Sequence, residues 1–446
     1  MSIPNIIIAG TNSGCGKTTL TISIMAALRK RNLTVQSFKI GPDYLDTKFH
    51  SFITNRSSRN LDAFLFDENT LKYIFGENSK NADISICEGV MGLYDGVGDT
   101  YLASTAYISK ILKSPIIIIV NAKGMALSIV PIIKGFIDFD RDVYISGVIL
   151  NNVKSEIQYN FLKDIINKNI ENIEVLGYFK ENVDFKLESR HLGLINAFEV
   201  ESLKSKIDIM AEEAEKTLNI NRILEISNKT SNIYYNNILD DNLKNKYKGL
   251  KIGIAYDKAF NFYYKDNIDL LEFLGIEIIY FSILNDRILP NVDALYIGGG
   301  YPEIFAYDIE KNNSMRESIK IFVENNGFVY AECGGLIYMT DSIQMLDGKK
   351  YKMSGVLDGY CKMTNKLNNF GYVTINNSIN AHEFHYSIEF IDNKTIFDVS
   401  KKRGNKILNW KSGYTYKNLL ASYPHIHFYS NIDFVLYFIE KVVSNA

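Results

Sequence analysis

The sequence lacks an excess of charge of either sign: 49 Lys and Arg residues stand against 51 Asp and Glu, a formal net charge of -2. So balanced a chain has no electrostatic footprint for nucleic acid, and a polyanionic partner is not expected. It also lacks any window near the roughly 18 uncharged apolar residues that a membrane-spanning helix needs, so no membrane association is expected. The apolar run Ile6-Ile7-Ile8-Ala9 is short and has no basic residue ahead of it, so export is not indicated. Cysteine is scarce: Cys15, Cys87, Cys333 and Cys361 are scattered without metal-type pairing. This spacing argues against a disulfide framework or structural zinc and for a reducing, cytoplasmic setting. The composition is ordinary for a globular protein, 46% hydrophobic and 22% charged, which excludes a disordered or fibrous chain. Its 446 residues are too many for one ordinary core and suffice for two domains.

Short apolar runs alternate with amphipathic stretches from the start: Asn5 to Ala9, a helix from Lys17 to about Lys30, then Thr34 to Ile40. The rhythm continues through Ile84 to Cys87, Pro115 to Val120 and Tyr144 to Leu150, as expected of a parallel α/β sheet with crossover helices. Between about Asn228 and Lys248 the sequence turns polar and Asn-rich, which marks a linker. The expected partition is 1–227, a linker over 228–249, and 250–446. A second α/β series follows, through Lys251 to Ala255, Glu277 to Phe281, Ala294 to Ile297 and Phe328 to Ala331. The halves share no motif, so they are different modules rather than a duplication.

The segment Gly10-Thr11-Asn12-Ser13-Gly14-Cys15-Gly16-Lys17-Thr18-Thr19 follows a strand and opens a helix, the setting of a phosphate-binding loop. Its glycines let backbone N–H groups face phosphates, Lys17 adds a point charge, and the Thr18 hydroxyl suits magnesium. Thr11 to Thr19 are therefore the expected ATP contacts. Phosphoryl transfer also needs acids to hold Mg²⁺. Asp43, Asp46 and Glu88 stand beyond strand ends and are the candidates, with Asp95 a weaker one. The plainer alternative for each is a helix cap or a solvated loop acid.

Farther along, Ala331-Glu332-Cys333-Gly334-Gly335 reads as a strand, a tight turn and a helix start with the cysteine at the turn. A thiol held there is exposed at a sheet edge as a nucleophile. Its base must be a histidine, and two pairs are available, His425 with His427 and His382 with His385. The His382-Glu383-Phe384-His385 spacing is not that of a zinc protease.

In joint order these motifs resemble the cobyrinate a,c-diamide synthase family, related through the N-terminal half to cobyric acid synthase and dethiobiotin synthetase. The resemblance covers nearly the whole chain. It rests on the phosphate loop, whose Gly10 and Gly16 enclose five residues rather than the usual spacing, and on Lys39-Ile40-Gly41-Pro42-Asp43. It continues through Glu88-Gly89-Val90-Met91-Gly92-Leu93-Tyr94-Asp95-Gly96, Arg190-His191-Leu192-Gly193-Leu194 and Ala259-Phe260-Asn261-Phe262-Tyr263-Tyr264. Gly298-Gly299-Gly300-Tyr301-Pro302-Glu303, the cysteine turn and His382 to Ser387 complete it.

The resemblance implies an N-terminal P-loop doubly wound parallel-sheet domain and a C-terminal class I glutamine amidotransferase α/β domain. It implies amidation of the a and c carboxylates of cobyrinate, using ATP and L-glutamine, with a homodimer left open. By position, Cys333 resembles the amidase nucleophile, and Asp43, Asp46 and Glu88 resemble the acids of the synthetase site. A Tyr-x-His pattern favours His425 as the base, with His427 its close rival. Residue 427 or 429 occupies the place of the usual glutamate, so a Cys-His dyad is the expected arrangement. Adenine contact by Asn151-Asn152 is a further analogy. Alternative readings are a nickel or other metal sirohydrochlorin as substrate, a nucleotide-regulated switch with a non-catalytic C-terminal domain, and a cysteine hydrolase.

Overall fold

The computed structural model describes residues 3–181, 197–404 and 406–444. The motif at 190–194 lies outside the described residues. Two compact units, Met1–Ile238 and Leu239–Ala446, divide the chain. The polar segment expected as a linker is docked at both ends. Thr230 donates to the Ile3 carbonyl and Tyr235 to Glu77, whereas the amides of Asn245 and Tyr247 reach the carbonyls of Phe273 and Leu274.

Among the described residues the first unit holds seven parallel strands: β1 (Asn5–Gly10), β2 (Val35–Ile40), β3 (Arg59–Leu61), β4 (Ile84–Glu88), β5 (Ile116–Asn121), β6 (Ile145–Val153) and β7 (Glu174–Lys180). Their spatial order is β3-β2-β4-β1-β5-β6-β7. Side chains alternate faces along a strand. Ile6 and Ile8 of β1 pack in one core with Leu20, Ile24 and Leu28 of helix α1 (Lys17–Lys30), while Ile7 and Ala9 are equally buried on the other face. Both faces are thus covered, which explains why these strands read as unbroken apolar runs. Ligand groups gather beyond the carboxyl ends of such strands. The loop from Thr11 to Gly16 leaves β1 there, and Glu88 ends β4 beside it.

In the second unit five parallel strands stand in the order Glu277–Phe281, Lys251–Ala255, Ala294–Ile297, Phe328–Glu332 and Leu419–Ser422. Long antiparallel hairpins extend this sheet: Leu357–Ile375 with Ile379–Ile391, and Thr395–Arg403 with Lys406–Tyr416. No strand was expected from 357 to 416. The strand Ile379–Ile391 brings His382 opposite His425. No helix among the described residues is long and apolar enough to cross a membrane.

Candidate active sites

In the first unit the phosphate loop turns on Gly14 (φ +78°) and Gly16 (φ +99°), a backbone region that side chains disfavour. A Cβ at Gly16 would also collide with the Asn151 side-chain amide, whose nitrogen donates to the Cys15 carbonyl at 2.8 Å. Asn151 therefore braces the loop. Lys17 folds back to donate to the Asn12 carbonyl at 3.1 Å. Thr11 donates to the Asn12 side chain, which in turn donates to the Ser13 carbonyl. Leu93 donates to Gly10, and Asp95 accepts from the Gly92 amide at 2.8 Å, so Asp95 fixes the neighbouring turn.

Glu88 is the hub of this site. Its Oε1 accepts from the Thr18 hydroxyl at 2.6 Å and from Lys39 Nζ at 2.8 Å, and its Oε2 lies 2.7 Å from His50 Nε2. Lys39 also pairs with Asp46 at 2.6 Å. Burial alone would raise the Glu88 pKa, but the Lys39 ammonium and His50 hold it well below the usual carboxylate range. Burial likewise opposes charge on Lys39, and Glu88, Asp46 and Asp43 outweigh it. Asp46 is pushed up to about 6, by burial first and by Glu88 second, with Lys39 opposing both. Asp43 uses Oδ1 to accept from the amides of Leu45 and Asp46 at 2.8 Å, capping the helix α2 (Leu45–Thr54). Lys39 and His50 received no role from the sequence. They lie 49 and 38 residues from Glu88, and only folding makes them neighbours.

Glu88→Ala should cost about 3–5 kcal/mol, because it leaves buried Lys39 with only part of its countercharge. Chemical denaturation of the variant measures it. A loss below about 1 kcal/mol, the range of exposed ion pairs, would show that the cluster is solvated.

In the second unit Cys333 ends the strand Phe328–Glu332 with φ 49° and ψ −98°, an unfavourable backbone for a side-chain-bearing residue. The Cys333 amide is held by the Ser422 carbonyl at 2.7 Å. Its Sγ faces the Phe384 carbonyl at 3.9 Å. The glycine-rich turn lies against it: a Cβ on Gly334 would meet the Gly300 nitrogen at 3.0 Å and Pro302 Cδ at 3.1 Å. Burial, then Glu303 and Glu383, push the thiol pKa up, against a hydrogen bond from the Gly334 amide.

His425 stands at the same turn, its Cε1 2.5 Å from where a Cβ on Gly299 would be. Its ring stacks on His382 with centroids 5.0 Å apart, and His382 Nδ1 lies 3.1 Å from the Tyr264 hydroxyl. Burial lowers His382 to about 3; it also lowers His425 well below the usual range, aided by His382 and His385. Burial thus disfavours the charged form of both rings. His427 sits differently, with Nε2 3.5 Å from Asp266 and its ring against Tyr264 at 4.6 Å.

Between the two histidines the Ile426 amide donates to Glu332 Oε1 at 2.9 Å and the Ile426 carbonyl accepts from Asn267. Glu332 also accepts from Tyr330 at 2.6 Å and Tyr296 at 2.9 Å, and burial pushes it up to about 7. This clamp fixes the histidine segment beside the cysteine turn. Glu332 was legible only as part of a motif, since two of its three partners, Tyr296 and Ile426, come from other strands.

Both units have recognisable relatives. Residues 6–195 match the model described as CobQ/CobB/MinD/ParA nucleotide binding domain, and residues 251–432 match the CobB/CobQ-like glutamine amidotransferase domain. A cobyrinate a,c-diamide synthase of Caldanaerobacter subterraneus subsp. tengcongensis is 43% identical over 451 residues, which cover 98% of each chain. The protein of that name in Clostridium acetobutylicum is 44% identical, covering 98% of this chain and 100% of its own. That of Listeria innocua is 42% identical over 96% of both. With such identity sustained through both units, this chain belongs to the cobyrinate a,c-diamide synthase family.

Proposed function

We propose that this chain converts the a and c carboxylates of cobyrinate to amides, with ATP activating each carboxylate and glutamine supplying the nitrogen. The carrying observation is that one chain holds both a phosphate loop tied to a buried acid and a strained cysteine turn with His425 packed at the same glycine-rich segment. The unit Met1–Ile238 is the synthetase and Leu239–Ala446 the glutaminase. Within those units the synthetase domain proper spans 1–227 and the glutaminase domain 250–446, with 228–249 as the joint between them. Four cysteines without disulfides suit a reducing cytoplasm.

In the synthetase, a carboxylate oxygen takes the terminal phosphoryl group of ATP, releasing ADP and forming an acyl phosphate. Ammonia then adds to the acyl carbon and phosphate leaves, which hydroxide could not do as readily. Thr11 to Thr19 cradle the nucleotide, and Lys17 exchanges the Asn12 carbonyl for phosphate oxygens. Among the described residues no three His, Cys, Asp or Glu side chains gather into a metal cage. A magnesium ion beside a nucleotide takes one or two protein oxygens, nucleotide phosphates and water. Thr18 and Glu88, hard oxygen donors 2.6 Å apart, fit that part. When bound, magnesium neutralises charge on the phosphates. Asp43 and Asp46 are the remaining acids of this site.

In the glutaminase, His425 takes the Cys333 proton and the sulfur attacks the glutamine amide carbon. The imidazolium returns the proton to the departing nitrogen, ammonia leaves, and water hydrolyses the glutamyl thioester to glutamate and free thiol. His425→Ala should lower glutamine hydrolysis by about 100-fold or more. His427→Ala should act chiefly on stability, through loss of contact with Asp266 and Tyr264. Steady-state ammonia release from both variants checks this, and loss confined to the His427 variant would exchange the roles. The substrate is tested by offering cobyrinate and metal sirohydrochlorins with ATP and glutamine, and weighing the products. Diamide from a sirohydrochlorin and none from cobyrinate would refute the substrate assignment.

A further inference from the structure

Two stretches singled out in the sequence, Ala259 to Tyr264 and His382 to Ser387, meet at His425, and the reaction so far has no use for what they place there. The strand Ile379–Ile391 runs antiparallel to the short strand His425–Ile426, with His382 directly opposite His425. Opposed residues on neighbouring strands present their side chains to one another. Here the two imidazoles stack, with centroids 5.0 Å apart and planes inclined by 22°. His425 also lies against the Gly299 backbone, where a Cβ would come within 2.5 Å of its Cε1 and 3.4 Å of its Nε2. His382 is held in turn. Its Nδ1 shares a hydrogen bond of 3.1 Å with the Tyr264 hydroxyl, and the Tyr264 ring packs on His427 at 4.6 Å. His382, Tyr264 and His425 are only 6%, 2% and 2% exposed, so the assembly is closed around the ring.

An imidazole takes a proton from a thiol only when its nitrogen points at the sulfur. In sites of this kind a third group holds the ring, often a carboxylate bonded to its other nitrogen. The residues two and four places after His425 are His427 and Tyr429, neither of them an acid. His427 faces Asp266 and Tyr264 instead. What does bear on the His425 ring is the stacked ring of His382 on one side and the Gly299 backbone on another. A buried ring can swing out of line only by displacing what it is packed against. Resting on the reading of His425 as the base, we propose that His382, anchored by Tyr264, is the positioning residue that aligns the His425 ring with the Cys333 thiol. It does by stacking what a carboxylate does elsewhere by a hydrogen bond, and it carries no proton itself.

The test measures glutamine hydrolysis by the full chain, with ATP and cobyrinate present, in three variants. His382→Ala empties the space beside the base. Its kcat should fall by about 10- to 100-fold with little change in KM, since the ring is misplaced while no group that touches glutamine is lost. His382→Phe restores a flat ring that cannot carry a proton, and should recover about tenfold of that loss. Tyr264→Phe removes the anchor alone and should lower kcat by about 2- to 10-fold, the scale of one hydrogen bond. His382→Phe as inactive as His382→Ala would overturn the proposal, because His382 would then handle a proton. A rise in KM without loss of kcat would overturn it too, by making His382 a substrate contact, as would a loss shared by amidation with free ammonia. If His382→Ala does not fold, Tyr264→Phe decides, and an unchanged kcat there would contradict the proposal. Native hydrolysis by His425→Ala would instead remove His425 as the base, and this proposal with it, whatever the His382 variants do.

Discussion

Lys17→Ala is expected to abolish amide formation whether glutamine or free ammonia supplies the nitrogen. Both routes pass through the activated carboxylate, and Lys17 is the one cation of the phosphate loop itself. Its Nζ sits 3.1 Å from the Asn12 carbonyl, within the curve that Thr11 to Gly16 forms at the end of β1. Burial lowers its pKa, so an ammonium there is poorly hydrated and gains more from a phosphate than an exposed lysine would. Removing one such charge from a phosphoryl-transfer site costs about a thousandfold or more in rate. The fold should survive, because the alanine loses one hydrogen bond, about 1 kcal/mol, while relieving a desolvated charge. Amide product is followed with each nitrogen source, beside a glutaminase assay on the same variant. Unchanged ammonia-dependent amidation would remove Lys17 from the phosphoryl site.

Cys333→Ala should separate the two chemistries. Glutamine-dependent amidation should fall to background, since the sulfur that opens the amide is gone and no other cysteine stands at such a turn outside the phosphate loop. Cys15 belongs to that loop, Cys87 is interior to β4, and Cys361 is buried against Tyr423. A high concentration of ammonium salt at mildly alkaline pH should restore ATP-dependent amidation, because Lys17, Thr18 and Glu88 are untouched. Alanine keeps a Cβ at φ 49°, so the strain of the turn is unchanged and the variant tests the sulfur alone. Loss of both activities in a folded variant would place Cys333 in ligation or in coupling the two units.

The parallel strands were readable because burial on both faces leaves them as apolar runs such as Ile116 to Val120. β3 and β7 carry no such signal, for the opposite reason. Arg59-Asn60-Leu61 is too short and polar to show a period, and Glu174–Lys180 begins and ends in charge. The hairpins from 357 to 416 are exposed over much of their length, and stretches such as Asn365-Lys366-Leu367-Asn368-Asn369 carry no alternation. Cys333 and the phosphate loop were legible because each is a local strand-turn-helix signature. Their partners were not. His50 and Lys39 meet Glu88, Asn267 and Glu332 hold the histidine segment, and Tyr264 packs on His427, only through contacts between distant stretches of chain. Asp43, at a strand end by sequence, uses one carboxylate oxygen to cap α2, the plainer role that such a position allows.

That one chain both frees ammonia from glutamine and joins it to an ATP-activated carboxylate is tested most directly by isotope. Purified protein receives cobyrinate, ATP and glutamine bearing heavy nitrogen in its side-chain amide, in a buffer free of ammonium, and the corrinoid product is weighed. The expected product carries heavy nitrogen in both the a and c amides, and none forms when ATP is withheld. A product without the heavy label, or amidation that proceeds equally well without ATP, would contradict the account.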